Sequence, residues 1–210
     1  MTRKGLVRML AGAIFLIGII RWQFARLFTE QPRYIIDSSR GGVEIRRYSG
    51  RVVAETTVDE PDWDRALNEG FRRLAGYIFG GNVPQQKIAM TTPVAARSQR
   101  IAMTSPVQAR ANAAGWTIAF TMPKERPLES LPQPSDRRVT LREEPPLRVA
   151  VMRFRGRYTA ERVGAARTEL LRRVRAQGIA TRGEPEFAGY DPPLTLPWLR
   201  RNEVWIELTE

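Results

Sequence analysis

Two spacings of apolar residues organise the chain. Val43 and Ile45 alternate with Glu44 and Arg46, and the β-branched-rich stretch VVAETTV (52–58) follows. Period-two alternation of this kind predicts two strands, joined as a hairpin through Tyr48-Ser49-Gly50. Pro61 and Asp62 then open a helix with Trp63, Leu67, Phe71, Leu74 and Ile78 on one face, ending before Gly80-Gly81-Asn82. Downstream, TIAFTM (117–122), VTLRE (139–143) and RVAVMRF (148–154) read as strands, and the proline-rich PKERPLESLPQP (123–134) as an extended loop. Thr159 caps a second helix that aligns Val163, Ala166, Leu170 and Val174 and stops at Gly178. Phe187 to Tyr190 and Glu203 to Leu208 supply a last pair of strands.

The order strand, strand, helix therefore occurs twice. Val43 and Val139 open the first strands, 96 residues apart, and Val52 and Val149 lie in the second strands, 97 apart. That agreement points to an internal repeat and an α+β fold: one curved, largely antiparallel sheet with both helices outside it. A shorter repeat, KIAMTTPV (87–94) and RIAMTSPV (100–107), has an offset of thirteen and belongs to a different category. Ile88 and Met90, like Ile101 and Met103, sit two residues apart, so each pair is expected on one face of an extended segment feeding the core.

Residues 9–20, MLAGAIFLIGII, form an uninterrupted apolar run between Arg8 and Arg21. Twelve helical residues cover only ~18 Å of a ~30 Å hydrocarbon core. Leu6, Val7 and residues 22–28 extend the run, while Arg8 and Arg21 can snorkel and Trp22 can sit at the interface. Arg21 follows the run directly and no small-residue cleavage site is evident, which favours an uncleaved anchor over residues 1–29. A cleaved signal and an interfacial helix are the alternatives. The soluble domain, residues 30–210, is then expected at a membrane; the basic residues on either side of the run are balanced, so the extracytoplasmic side and the cytoplasmic side both stay open.

Composition removes whole mechanisms. The 210 residues include no Cys and no His, so disulfides, thiolate metal sites, Cys and Ser-His nucleophile systems and imidazole ligation of iron are all excluded. The net charge is +12. Five basic residues and no acid fall within 1–29, leaving 29 basic and 22 acidic residues to the remainder. These are interspersed, and no nucleic-acid-binding motif accompanies them.

The succession VEIRRY, GFRRLAGYIFGGN, KIAMTTPV, IAMTSPV, W-x-x-x-F-x-MP (116–123), LPQPSDRRV, RVAVMRFRG and AGYDPPLTLPWLRRNEVW closely resembles the SOUL haem-binding protein family. The match covers about residues 34 to 208. The resemblance implies a distorted antiparallel β-barrel or sheet flanked by two helices, a pseudo-twofold arrangement, and binding of haem or another tetrapyrrole without an established enzymatic reaction. Animal members carry basic residues along the first helix and before the RRNEVW motif; the aligned positions here are Asn68, Gly76 and Leu196, with Arg72 and Arg73 close by.

Each candidate site residue carries two readings. Arg72 and Arg73 can bind a propionate through paired N–H donors, or line a solvated helix face. Tyr77 can stack on a macrocycle or ligate it, or bury its ring and keep its hydroxyl wet. Met90 and Met103 can offer thioethers or soft walls, with core packing favoured. Trp198 lies on a stiff apolar loop able to cover a pocket, and Arg200 opens the polar cluster Arg200-Arg201-Asn202-Glu203, read either as ligand contact or as a structural ion pair. The haem-independent alternatives are a scaffold for another amphipathic anion or a protein, and an enzyme using Glu55, Glu69 or Glu203.

Overall fold

The computed structural model describes residues 29–83, 99–113, 115–191 and 195–209. Its strands are β1 (Tyr34–Arg40), β2 (Val43–Tyr48), β3 (Arg51–Val58), β4 (Asn82–Val83), β5 (Val107–Asn112), β6 (Gly115–Thr121), β7 (Gln133–Pro134), β8 (Val139–Glu144), β9 (Leu147–Phe154), β10 (Thr181–Gly189) and β11 (Asn202–Leu208). The helices are α1 (Trp63–Ile78) and α2 (Ala160–Ala176). As the sequence predicts, Asp62 and Thr159 cap them, accepting from the amides of Arg65 and Arg162. Gly178, at φ +69°, follows the end of α2.

Nine strands form one antiparallel sheet in the order β1-β2-β9-β11-β10-β5-β6-β3-β8, and β4 pairs separately with β7. The order corrects two expectations. β2 and β3 do not pair as a hairpin: β2 pairs with β1 and β9, whereas β3 pairs with β6 and β8. The chain diverges at Ser49-Gly50, because each half sends its first strand to the second strand of the other. Nor is the barrel closed. β1 and β8 end the series without pairing to each other, so the sheet curves but keeps two edges. Read from either side of the β10/β5 seam, the strand order is equivalent, with β2, β3, β5 and β6 standing where β8, β9, β10 and β11 stand in the other half.

β1 and β5 carried too little apolar alternation to be read as strands from sequence. Each is held by a hairpin instead, β1 by the turn at Gly41 and Gly42, both at positive φ, and β5 by its six-residue register with β6.

Both helices pack on the same face of the sheet, α1 over β6, β3 and β8 and α2 over β10, β11, β9 and β2. Trp63, Leu74, Ile118, Phe120 and Phe187 fill the core under α1; Ile45, Ala150, Leu170, Val174, Val204 and Ile206 fill the core under α2. A third cluster, Tyr48, Val149, Val151, Ala188, Tyr190 and Trp205, lies on the opposite, concave face. Because side chains alternate along a strand, both faces of β2, β9 and β11 are covered. Ile101 is buried while Met103 is 41% exposed, so this pair does not share a core-directed face; no strand forms over residues 100–103 to enforce the alternation. Met90 and the first octapeptide lie outside the described residues, as does the apolar run 9–20. Among the described residues no helix is long and apolar enough to cross a membrane.

Gly70 sets the closeness of α1 to the sheet, since a Cβ there would stand 2.3 Å from Ile118 Cγ1. At Gly76, six residues on, a Cβ would meet nothing within 4 Å. The same substitution therefore has opposite signs at the two sites. Gly70→Ala is expected to destabilise by ~1–3 kcal/mol through overpacking, and Gly76→Ala to stabilise by up to ~1 kcal/mol through helix propensity. Urea unfolding of both variants checks this; a stabilised Gly70→Ala would contradict the close contact.

Candidate functional site

The outer flank of α1 carries the residues singled out from sequence. With Trp63, Ala66, Gly70, Leu74, Tyr77 and Ile78 buried against the sheet, Arg65, Asn68, Glu69, Arg72 and Arg73 line a groove of ≈ 610 Å³ closed by Val58, Asp59 and Glu60 at the end of β3. Arg73 is fixed there. Its Nε donates to Glu69 Oε1 at 2.8 Å and its Nη1 to the Thr57 carbonyl at 2.9 Å and Thr56 Oγ1 at 3.3 Å. Arg72 also pairs with Glu69 but leaves most of its side chain in solvent. Asn68 and Arg65 are exposed on the same groove.

The other candidates are placed elsewhere. Tyr77 points into the core and donates its hydroxyl to the Pro132 carbonyl at 2.9 Å, and burial pushes its pKa up to about 12. Met103 is solvent-exposed beside Thr104, away from the groove. Trp198 is exposed in a single helical turn, residues 197–199, before β11. Arg200 is buried behind it: its Nε donates to the Thr195 carbonyl at 2.8 Å, and its guanidinium stands 5.2 Å from the Tyr158 ring. The Tyr158 carbonyl in turn accepts from Trp63 Nε1 at 2.8 Å. Arg200 is thus linked through Tyr158 to the start of α1, and neither it nor Trp198 lines the groove. Among the described residues no set of three Asp or Glu side chains converges as a metal site.

The polar cluster before β11 resolves into a buried ion pair. Glu203 and Arg46 are both 0% exposed, on the concave face. Arg46 Nη1 and Nη2 reach Glu203 Oε2 and Oε1 at 2.9 and 3.0 Å, the two-pronged geometry in which arginine binds carboxylates most strongly. Arg201 Nη2 adds 2.7 Å, Arg153 Nε 3.1 Å, the Tyr190 hydroxyl 2.8 Å and Trp205 Nε1 2.9 Å, so every lone pair of the carboxylate is engaged. Arg46 is further held by Glu44, by the Tyr48 hydroxyl and by the face of the Tyr34 ring, 4.3 Å from its centroid. Burial alone would raise the Glu203 pKa; the bonds and charges of Arg46 and Arg201 outweigh it and hold the carboxyl down to about 2.

The sequence places Glu203 in a polar cluster and Arg46 opposite Val43 and Ile45 on its strand, without linking the two. A signal was available: in Arg46-x-Tyr48 and Glu203-x-Trp205 a charge precedes a large aromatic by two positions, on one face of each strand. Such a face is covered, not wet.

A family model described as SOUL heme-binding protein matches residues 29–207, and the chain belongs to this family. Heme-binding protein 2 of Mus musculus is 30% identical over 172 residues, covering 81% of this chain and 80% of the relative. Heme-binding protein 2 of Homo sapiens is 30% identical over 167 residues, covering 79% and 78%. Heme-binding protein 1 of Sus scrofa is 31% identical over 165 residues, covering 78% and 82%. Among solved structures, the EcmrR C-terminal domain superposes with a TM-score of 0.53 at 10% identity, covering 80% of this chain and 97% of that one, a likeness of fold alone.

The buried pair sets an acid limit on stability. Glu203 ionises at about 2 when folded, against about 4.3 in an unfolded chain. Its contribution is therefore complete above roughly pH 5 and is lost as pH falls towards 2. Glu203→Gln, which strands Arg46, is expected to cost ~3–5 kcal/mol at neutral pH and to flatten the fall of stability below pH 5. Denaturant titrations between pH 3 and 7 measure both; an undiminished acid slope in the variant would contradict the assignment.

Proposed function

We propose that this protein binds haem or a related tetrapyrrole without transforming it, and that residues 1–29 hold it at a membrane with the folded domain on the extracytoplasmic side. The observation that carries the binding reading, given a family described by haem binding, is the groove on α1 that gathers Arg65, Asn68, Arg72 and Arg73. Its chemistry fits the carboxylate edge of a tetrapyrrole. Arg65 and Arg72 present guanidinium groups at the mouth, while Arg73, already committed to Glu69 and Thr57, keeps the wall rigid. With no His or Cys in the chain and Tyr77 committed to Pro132, the grip comes from carboxylates and surface contact instead of an imidazole or thiolate bond to iron. A non-enzymatic role accords with the three carboxylates considered for catalysis. Glu55 pairs with Arg110 and Arg142, Glu69 with Arg72 and Arg73, and Glu203 with Arg46, so none is a free base.

Hemin titration of the full chain in detergent is expected to give a saturable Soret shift without the spectrum of bis-imidazole iron. The Arg65→Ala/Arg72→Ala double variant should weaken it ~10-fold or more by removing charge-assisted hydrogen bonds. Tyr77→Phe should leave hemin affinity unchanged and lower stability by ~1 kcal/mol. A folded chain that shows no saturable shift at micromolar hemin would end the reading. For the membrane segment, the chain of residues 1–210 is expected to stay with membranes after alkaline carbonate washing and to keep its full mass, whereas residues 30–210 alone should wash off; release of the intact chain would remove the anchor.

A further inference from the structure

The N-terminal segment joins the domain at a fixed point. Glu30, the first acidic residue of the chain, bridges in parallel to Thr104. Its carbonyl accepts from the Ser105 amide at 2.9 Å, and its Oε1 accepts from the Lys124 amide at 3.0 Å. These contacts leave no free linker after residue 29. Because the apolar sequence runs on to Phe28, the headgroup layer of a membrane entered by residues 1–29 begins beside Glu30. The surface around Glu30 is therefore carried against that layer.

Hydrogen bonds trace this surface from Glu30 to the end of α1. The Ile101 amide donates to the Ile78 carbonyl at 2.8 Å, and the Gln99 amide to Asn82 Oδ1 at 2.8 Å. Arg126 Nη1 donates to Gln99 Oε1 at 3.1 Å, which ties residues 124–126 to the same run. Two large apolar side chains along this path are left in solvent, Phe79 at 57% and Met103 at 41% exposure. Arg100 and Lys124 are exposed among them, and Arg126 is half-buried. Two acids, Glu125 and Glu30, stand against these three cations, and the Glu30 carboxylate already accepts from the Lys124 amide. An aromatic and a thioether beside Arg and Lys suit a headgroup layer, where the apolar groups enter the acyl boundary and the cations meet phosphates.

We propose that the end of α1, residues 99–104 and residues 124–126 form a membrane-docking face that seats the domain on the phospholipid headgroups of the bilayer holding residues 1–29. The inference rests on the reading of residues 1–29 as an anchor. It leaves the α1 groove, which begins ~10 Å back along the helix from Phe79, outside the contact.

The chain has no Cys, so one introduced thiol carries a fluorophore at a single site. Phe79→Cys and Met103→Cys are compared with Asp64→Cys, in the first turn of α1 and ~22 Å from Phe79 along the helix. Each full chain is labelled with nitrobenzoxadiazole and reconstituted in phosphatidylcholine vesicles with and without phosphatidylglycerol. A nitroxide on the lipid headgroup is expected to quench the labels at 79 and 103 strongly and the label at 64 little, with phosphatidylglycerol widening the difference. Adding Lys124→Glu and Arg100→Glu together should lower the ratio of docked to undocked domain ~10-fold or more in the anionic vesicles. Circular dichroism and thermal melting identify any variant that has lost its fold, and the other labelled position then decides. Flotation separates this inference from the anchor on which it rests. Chains that float while 79 and 103 are quenched no more than 64, or no less after the charge reversal, overturn the docking face and leave the anchor standing. Chains that do not float overturn both. Labels at 79 and 103 shielded from the lipid nitroxide and from aqueous iodide alike are covered by protein, a second copy or residues 84–98, and that outcome also overturns the proposal.

Discussion

The bidentate contact between Arg46 and Glu203 holds the strand exchange together. Arg46 lies on β2, which belongs to the first half of the chain, and Glu203 lies on β11 of the second half, with β9 between them. Neighbouring strands are ~4.8 Å apart, so the side chain must reach across one whole strand. Arginine is long enough to do so and still deliver two parallel N–H bonds. Two charges removed from water this completely are stabilising only when all their hydrogen-bonding capacity is used, and Tyr190, Trp205, Arg153 and Arg201 complete that set. Displacing β2 by one residue would turn Arg46 into the α2 core and Ile45 onto the concave face, so the pair also fixes the register.

Much of this fold is legible in the sequence, and what is legible shares a cause. α1, α2, their caps and strands β2, β3, β6, β8, β9 and β11 each pack one face against a core, so their apolar spacing reports directly on local structure. The pairing of those strands is not local. VEIRRY and VVAETTV look like a hairpin because they adjoin in sequence with a Gly between them, and nothing in either segment encodes that its partner lies a hundred residues away. The openness of the sheet escapes for the same reason. β1 has few buried positions, since an edge strand has only one neighbour to satisfy, and its pattern is correspondingly weak.

The site divides along the same line. Asn68, Arg72 and Arg73 fall at helical spacing, and the structure does bring them to one groove. Tyr77 lies close to the same spacing yet turns inward, because it stands three residues after Leu74 and seven after Gly70, on the buried side of α1, and finds a carbonyl there in Pro132. Arg200 is an example of a cation whose sequence position suggests exposure but whose neighbours, Tyr158 and the Thr195 carbonyl, absorb it. On the concave face the residues around Glu203 come from β2, β9 and β11, and only the completed sheet assembles them.

The exchange of β2 and β8 has a consequence for assembly. Neither half of this chain contains the neighbours its own strands require, so neither is a self-sufficient folding unit: β3 needs β8, and β9 needs β2. Two separate copies of a single half would meet those needs only by embracing one another, at a cost in translational freedom set by their dilution. Joining them through residues 122–138 replaces that encounter with a tethered one at high local concentration. The connecting segment, which also supplies β7 and the Pro132 carbonyl that Tyr77 binds, is thus what brings the two interdependent halves together within one chain.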